Sequence, residues 1–345
     1  CAHDNRLIKP FLESLPFQLT KAQIRVLAEF REDLSVQHPM RRLLQGDVGS
    51  GKTVIAVMAA LMVLESGYDA SMMAPTTLLA EQHYRTISQW LAPYPIQVAL
   101  HTGNTKTPTK SELPLFTIGT HALIQSNETS KKLGMVIIDE QHKFGVTQRD
   151  KLLRRGAHPH LLVMTATPIP RTMGLTLYGD LDISTLEEMP AGRGSLKTYL
   201  RTANSRPKVL SFLKKQIGTG RQAYFVFPRV EEKEESEITA VTKELSVLSE
   251  YFAPFRVAMV HGKMKSEEKD RIMRSFSDGE TQILLATTVI EVGVDVPNAT
   301  VMVIEDAEQF GLAQLQQIRG RIGRGLHASP CILIGAETKK EAWER

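Results

Sequence analysis

Residues 46–53 read GDVGSGKT, a complete match to the pattern G-x-x-x-x-G-K-[ST]. The stretch RLLQ precedes this loop, and TVIAVMAALMVLES follows it as an apolar helix ending near Gly67. A strand, a glycine loop and a helix in that order confine this part of the chain to an α/β fold with a phosphate-binding turn. Gly46, Gly49 and Gly51 let the backbone N–H groups of the loop, with Asp47, Val48 and Ser50 between them, face phosphate oxygens without obstruction. The following helix points its positive end at the same anion. Lys52 reaches the β- and γ-phosphates, and Thr53 can hold Mg²⁺.

Around the loop, short apolar runs alternate with helical stretches. ASMMAP, LFTIG, MVIID and LLVMTAT read as buried strands. Their continuous apolarity, without strict alternation, predicts parallel strands covered on both faces. MPAGRGS (189–195) carries a proline and two glycines and reads as a linker. The pattern then restarts. QAYFVF, RVAMVHG, TQILLAT, ATVMVIE and SPCILIG are predicted strands; ITAVTKELSVLSEYF, SEEKDRIMRSF and LAQLQQIRGRI are predicted helices. EEKEESE (231–237) reads as a solvated loop or a helix start. The expected fold is two tandem, doubly wound α/β domains. The expected boundaries are a residual linker over 1–14, a first domain over 15–189, a linker over 190–195 and a second domain over 196–345.

MVIIDE supplies a partner for the loop. Its strand carries Asp139 to the phosphate edge of the sheet, where a carboxylate can hold hydrated Mg²⁺. Glu140 follows and can orient or deprotonate an attacking water. In the second domain, QIRGRIGR places Arg321 and Arg324 three apart on an expected helix end, hence on one face. Two such arginines suit a clamp on transferring phosphate; a basic helix without phosphate is the alternative.

Composition narrows the classes. Of the 345 residues, 42% are apolar and 23% charged, which is average for a globular chain. No run is long enough to span a bilayer, so no membrane partner is expected. Two cysteines, Cys1 and Cys331, exclude a disulfide framework and suit a reducing, cytoplasmic setting. The net charge of +4 is too mild to prove a polyanion partner, although it permits local basic faces. The chain begins at Cys1 and not Met, and is expected to be a piece of a longer protein.

The ordered set GSGKT, PTT, GTHAL, DEQH, TAT, VHGKM, ATTVIEVGVDVP and QIRGRIGR covers nearly the whole chain and resembles the motifs of superfamily 2 helicase motors. The resemblance implies two RecA-like domains, ATP in the interdomain cleft and nucleic acid across both. It assigns Gln23 to adenine, with Phe17 flanking the base or simply packing in the core. It makes Lys52, Glu140, Arg321, Arg324 and Gln317 the hydrolytic set, and adds Gly293 and Asp295 as second-domain nucleotide contacts. His142, Gln317, Thr165 and Thr167 would couple nucleotide state to domain movement. Thr76, Thr77, Thr102, Gly119, Thr120, His261 and Thr287 would hold the DNA backbone. Small polar residues at strand ends position phosphates without reading sequence, and each taken singly also suits a turn or cap.

Longer stretches, DEQHKFGVTQR, MTATPIPRT, LYGDLDIS and TTVIEVGVDVPNAT, closely resemble the RecG family of bacterial fork translocases. Transcription-repair coupling motors of the Mfd type are similar, but usually carry an aromatic where Ser50 stands and a second Glu where Gln141 stands. Lys143 and Gln316 depart from the RecG pattern, which usually has Arg and His there. The resemblance implies a monomeric, Mg²⁺- and ATP-dependent motor on double-stranded and branched DNA, with single-stranded-DNA-binding protein as a further partner. It also implies a wedge domain upstream and a coupling hairpin after Arg345. An Mfd-like translocase and an ATP-gated nucleic-acid clamp with little turnover are the alternatives.

Overall fold

The computed structural model describes residues 5–103, 105–109, 112–125, 132–140, 158–166, 181–188, 194–228, 234–287, 296–323, 325 and 327–335. The chain divides into two compact units, Cys1–Pro190 and Ala191–Arg345.

The first unit is built on β1 (Arg41–Gly46), β2 (Asp69–Met73), β3 (Gln97–His101), β4 (Leu115–Gly119), β5 (Leu133–Asp139), β6 (His160–Thr165) and β7 (Asp182–Leu186). Its strand order is β3-β4-β2-β5-β6-β1-β7, and the paired strands are parallel. Parallel pairing needs crossovers, and helices supply them. Helices α1 (Ile8–Ser14) and α2 (Lys21–Ser35) precede β1, while α3 (Lys52–Glu65), α4 (Thr77–Leu91) and the short α5 (Ala122–Gln125) lie between strands.

Helix α3 is apolar all round, and every residue from Val54 to Leu64 is buried. Such a helix can only be an interior one. It packs between α2 and the sheet strands β1, β2, β4 and β5. Helix α2, by contrast, buries a stripe of Ala22, Gln23, Val26, Phe30 and Leu34 at helical spacing. Its start is fixed by a capping box in which the Thr20 hydroxyl accepts from Gln23 N and the Gln23 carbonyl oxygen accepts from Thr20 N. Arg42 of β1 ties the sheet to α2 through Asp33 at 2.7 Å and Glu29 at 3.1 Å, and donates to Ser184 of β7.

The second unit repeats the scheme with β8 (Leu196–Thr202), β9 (Gln222–Val226), β10 (Val257–Val260), β11 (Ile283–Ala286), β12 (Ala299–Ile304) and β13 (Ser329–Gly335). The order is β10-β11-β9-β12-β13-β8, again with parallel pairs. Helices α6 (Arg206–Gly218), α7 (Glu234–Phe252), α8 (Ser266–Ser277) and α9 (Leu312–Arg319) belong to it. The central strands β9, β11 and β12 are buried along their whole length, as continuous apolar runs predict. Arg206 at the start of α6 bridges Glu305, just past β12, and Glu244 of α7 at 2.7 and 2.6 Å.

One predicted helix ends early. LAQLQQIRGRI is helical only to Arg319, where Gly320 caps it by donating to Gln316 O and Ile318 O. Gly323 then takes a left-handed φ of 76°. Arg321 therefore sits in a turn beyond the helix, and the expectation that it shares a helix face with Arg324 is not met.

Candidate nucleotide and nucleic-acid site

In a parallel sheet every strand ends on the same edge, and ligands gather outside the carboxyl ends of the strands. Gly46 closes β1 at that edge, and Asp47, Val48, Gly49, Ser50 and Gly51 form the turn into α3. Gly51 caps α3 with φ 86°, and a Cβ there would collide with the Gln23 amide nitrogen. Only glycine meets both demands. Lys52 and Thr53 occupy the first turn of α3. The Lys52 ammonium donates to the Gly46 and Asp47 carbonyls at 2.7 and 2.9 Å, which holds the charge over the mouth of the loop.

Two strands away from β1, β5 delivers Asp139, with β6 between them. Asp139 and Glu140 are both buried. The Asp139 carboxylate takes a hydrogen bond at 2.8 Å from His83 Nε2 on α4. Burial by itself raises this carboxyl. The His83 hydrogen bond and attraction, the Lys52 charge and the Glu140 N–H outweigh it, and hold the group below the usual carboxylate range. Asp139 is thus an ionised oxygen donor within electrostatic reach of the loop lysine. With the Thr53 hydroxyl at the start of α3, the donors are all oxygen, which fits Mg²⁺. Glu140 has a left-handed φ of 52° while its N–H donates to Met164 O at 3.0 Å. A non-glycine residue in that region is a strained turn of the kind found at functional sites.

The remaining expected residues divide by position. Gln23 is 1% exposed, and both ends of its amide are engaged: Nε2 donates to Ser50 O at 2.9 Å, and Oε1 accepts from Thr20 N at 2.9 Å. Phe17 is 39% exposed, which removes the core-packing alternative. Thr165 ends β6 and is buried. Arg321 is buried, and Gln317 is half-buried on α9. His142, Thr167, Gly293, Asp295 and Arg324 lie outside the described residues.

The expected DNA contacts fall at strand ends in both units. In the first, Thr76 and Thr77 follow β2, Thr102 follows β3, and Gly119 and Thr120 end and follow β4; these three strands are neighbours in the sheet. In the second, His261 and Thr287 follow the paired strands β10 and β11. Several hydroxyls also serve the local fold. Thr76 caps α4 by accepting from Leu79 N, and the buried Thr102 accepts from Thr105 N. At Gly119 a Cβ would collide with the His101 carbonyl, so β3 and β4 approach as only glycine permits.

Sequence reasoning missed His83. Its signal was present: Leu79, His83, Ile87 and Leu91 form the buried stripe of α4, so a histidine stands where an apolar residue belongs. A polar side chain in such a stripe requires a buried partner. Among the described residues no group of three or more His, Cys, Asp or Glu is arranged to hold a metal ion, and no helix is long and apolar enough to cross a membrane.

Known proteins share this two-unit α/β fold. The DEAD/DEAH box helicase family matches residues 20–175, and the helicase conserved C-terminal domain matches residues 208–325. The chain is 50% identical to the ATP-dependent DNA helicase RecG of Synechocystis sp., over 98% of this chain and 42% of that protein. It is 46% identical to the enzyme of the same name from Bacillus subtilis, over 98% of this chain and 51% of that one. A solved structure of RecG bound to a three-way DNA junction superposes with a TM-score of 0.87 at 44% identity, covering all of this chain and 46% of that one. The chain thus spans about half the length of the curated relatives it matches. Two tandem RecA-like domains with a phosphate loop and an Asp-Glu strand end define a superfamily 2 helicase motor. Within that class, the chain belongs to the RecG family.

Proposed function

We propose that the chain is the ATP-hydrolysing motor of a DNA helicase and double-stranded-DNA translocase, which remodels stalled replication forks and branched recombination intermediates as part of a longer protein. The observation that carries this reading is that the phosphate loop with Lys52 and the carboxylate of Asp139 stand at the same edge of the first sheet, the carboxylate held ionised mainly by His83 with a smaller contribution from the Lys52 charge. The similarity to RecG, one structure of which holds a three-way DNA junction, supplies the substrate class. The relatives also disfavour the Mfd-like alternative.

The loop from Gly46 to Gly51 cradles the phosphates of ATP by backbone N–H groups, and Lys52 neutralises the β- and γ-phosphates. Phe17 and Gln23 lie on the adenine side, and Gly293 and Asp295 complete the nucleotide contacts from the second unit. Mg²⁺, held by Thr53 and Asp139, would offset the negative charge that builds on the β- and γ-phosphate oxygens. Glu140 orients and deprotonates the attacking water. Arg321 and Arg324 stabilise charge on the transferring phosphoryl group, and Gln317 belongs to the same hydrolytic set. His142, Thr165 and Thr167 pass the nucleotide state to the DNA grip. Thr76, Thr77, Thr102, Gly119, Thr120, His261 and Thr287 hold the DNA backbone through hydroxyls and backbone amides, a contact that positions without reading sequence. The motor acts as a monomer in the cytoplasm, with single-stranded-DNA-binding protein as a partner of the longer protein.

Steady-state ATPase measurements on the chain, with and without a three-way junction, test this reading. Turnover stimulated by the junction is the expected result. Nucleotide-dependent DNA retention without turnover would instead establish an ATP-gated clamp.

A further inference from the structure

A carboxylate that must hold a cation needs its oxygens fixed in space, and a strand end alone does not fix them. The side chain of Asp139 leaves the last residue of β5 and retains rotation about its own bonds. His83 removes that freedom. Its Nε2 lies 2.8 Å from Asp139 Oδ2, and the two side chains are only 10% and 12% exposed. The imidazole is itself fixed, because it stands in the buried stripe of α4 between Leu79 and Ile87. A rigid helix thus reaches across to one oxygen of the carboxylate and determines how the group is turned.

We propose that His83 is a positioning residue for Asp139, turning its carboxylate so that the group presents oxygen to Mg²⁺ bound with the nucleotide. This rests on the reading of the phosphate loop and Asp139 as the Mg²⁺–nucleotide site. His83 touches neither the metal nor the nucleotide; it acts through Asp139. Hydrogen-bond partners of ligating carboxylates commonly set metal affinity in this way.

The two variants that separate donor from volume are His83→Phe, which keeps a ring and loses the N–H, and His83→Gln, which keeps an N–H donor. ADP binding to the chain is measured by titration calorimetry in EDTA and across a Mg²⁺ series, with circular dichroism as the check on folding. In His83→Phe the affinity in EDTA should stay at the parent level, while the Mg²⁺ concentration for half-maximal tightening rises by about tenfold or more. His83→Gln should stay near the parent. If the phenylalanine variant fails to fold, His83→Ala takes its place with the same expectation. An unchanged Mg²⁺ requirement in the variant without a donor would overturn the proposal. So would a lowered requirement, which would make the imidazole a competitor of the metal. So would a glutamine variant as impaired as the phenylalanine one. A parent chain whose ADP binding ignores Mg²⁺ would instead refute the nucleotide-site reading itself.

Discussion

Gln23 Nε2 donates to the carbonyl of Ser50 at 2.9 Å, so the first turn of α2 is tied directly to the phosphate loop. The same amide closes the capping box with Thr20; Gln23 and Ser50 are buried and Thr20 is half-buried. The side chain that the family resemblance assigns to adenine therefore also shapes the loop that holds phosphate. Gln23→Glu would set a carboxylate against the Ser50 carbonyl while keeping size. The expected cost is about 1–3 kcal/mol in stability, with ADP affinity falling by roughly the same free energy. Thermal unfolding and calorimetric titration of ADP check both; parent values in both would show that the contact is incidental.

At Gly119 the backbone of β4 lies tight against that of β3. An added Cβ would meet the backbone carbonyl of His101, which cannot swing aside as a side chain would. Gly119→Ala should destabilise the first unit by about 1–3 kcal/mol through overpacking. The strand ends carrying Thr102 and Thr120 would shift with it, so DNA stimulation of the ATPase should fall further than basal turnover. Denaturant unfolding together with ATPase rates at saturating junction DNA measures the two effects.

The second unit depends on the Arg206 bridge. Glu305 is mostly buried, and burial first, with Asp306 and Glu244 adding repulsion, leaves its carboxyl above the usual range despite Arg206. Arg206→Ala removes the compensating guanidinium and should cost about 2–3 kcal/mol at neutral pH. A carboxyl raised in the folded state binds its proton more readily there than in the unfolded chain. The loss should therefore shrink as pH falls through the folded Glu305 value. Adding Glu305→Gln to Arg206→Ala should recover stability at pH 7. Urea unfolding at pH 7 and pH 5 measures each; a loss equal at both pH values would contradict this assignment.

Legibility in the sequence followed burial. The strands read as continuous apolar runs, MVIID, LLVMTAT, QAYFVF and ATVMVIE, are the interior strands β5, β6, β9 and β12. Those that escaped, β3, β7 and β8, are edge strands. β8 is exposed along nearly its whole length, so LKTYLRT shows no apolar run to recognise. At the site, the loop and Asp139 were legible because their chemistry is local in sequence. His83 was not, because its partner is 56 positions away and only the fold brings them together. The helix end at Gly320 did carry a signal, since glycine is a common helix stop, but Ile322 at helical spacing from Ile318 suggested continuation; the cap wins by donating to two carbonyls.

In the proposed mechanism Glu140 directs water at the γ-phosphate and Lys52 holds that phosphate. Lys52→Ala should lose both nucleotide affinity and turnover. Glu140→Gln isolates the chemical step, since it preserves size and removes the base. The decisive measurement is single-turnover ATP hydrolysis by Glu140→Gln beside the parent, with ATP binding measured on the same samples. The prediction is binding near the parent level with hydrolysis slowed by about 10²–10⁴-fold. Hydrolysis at the parent rate would contradict it.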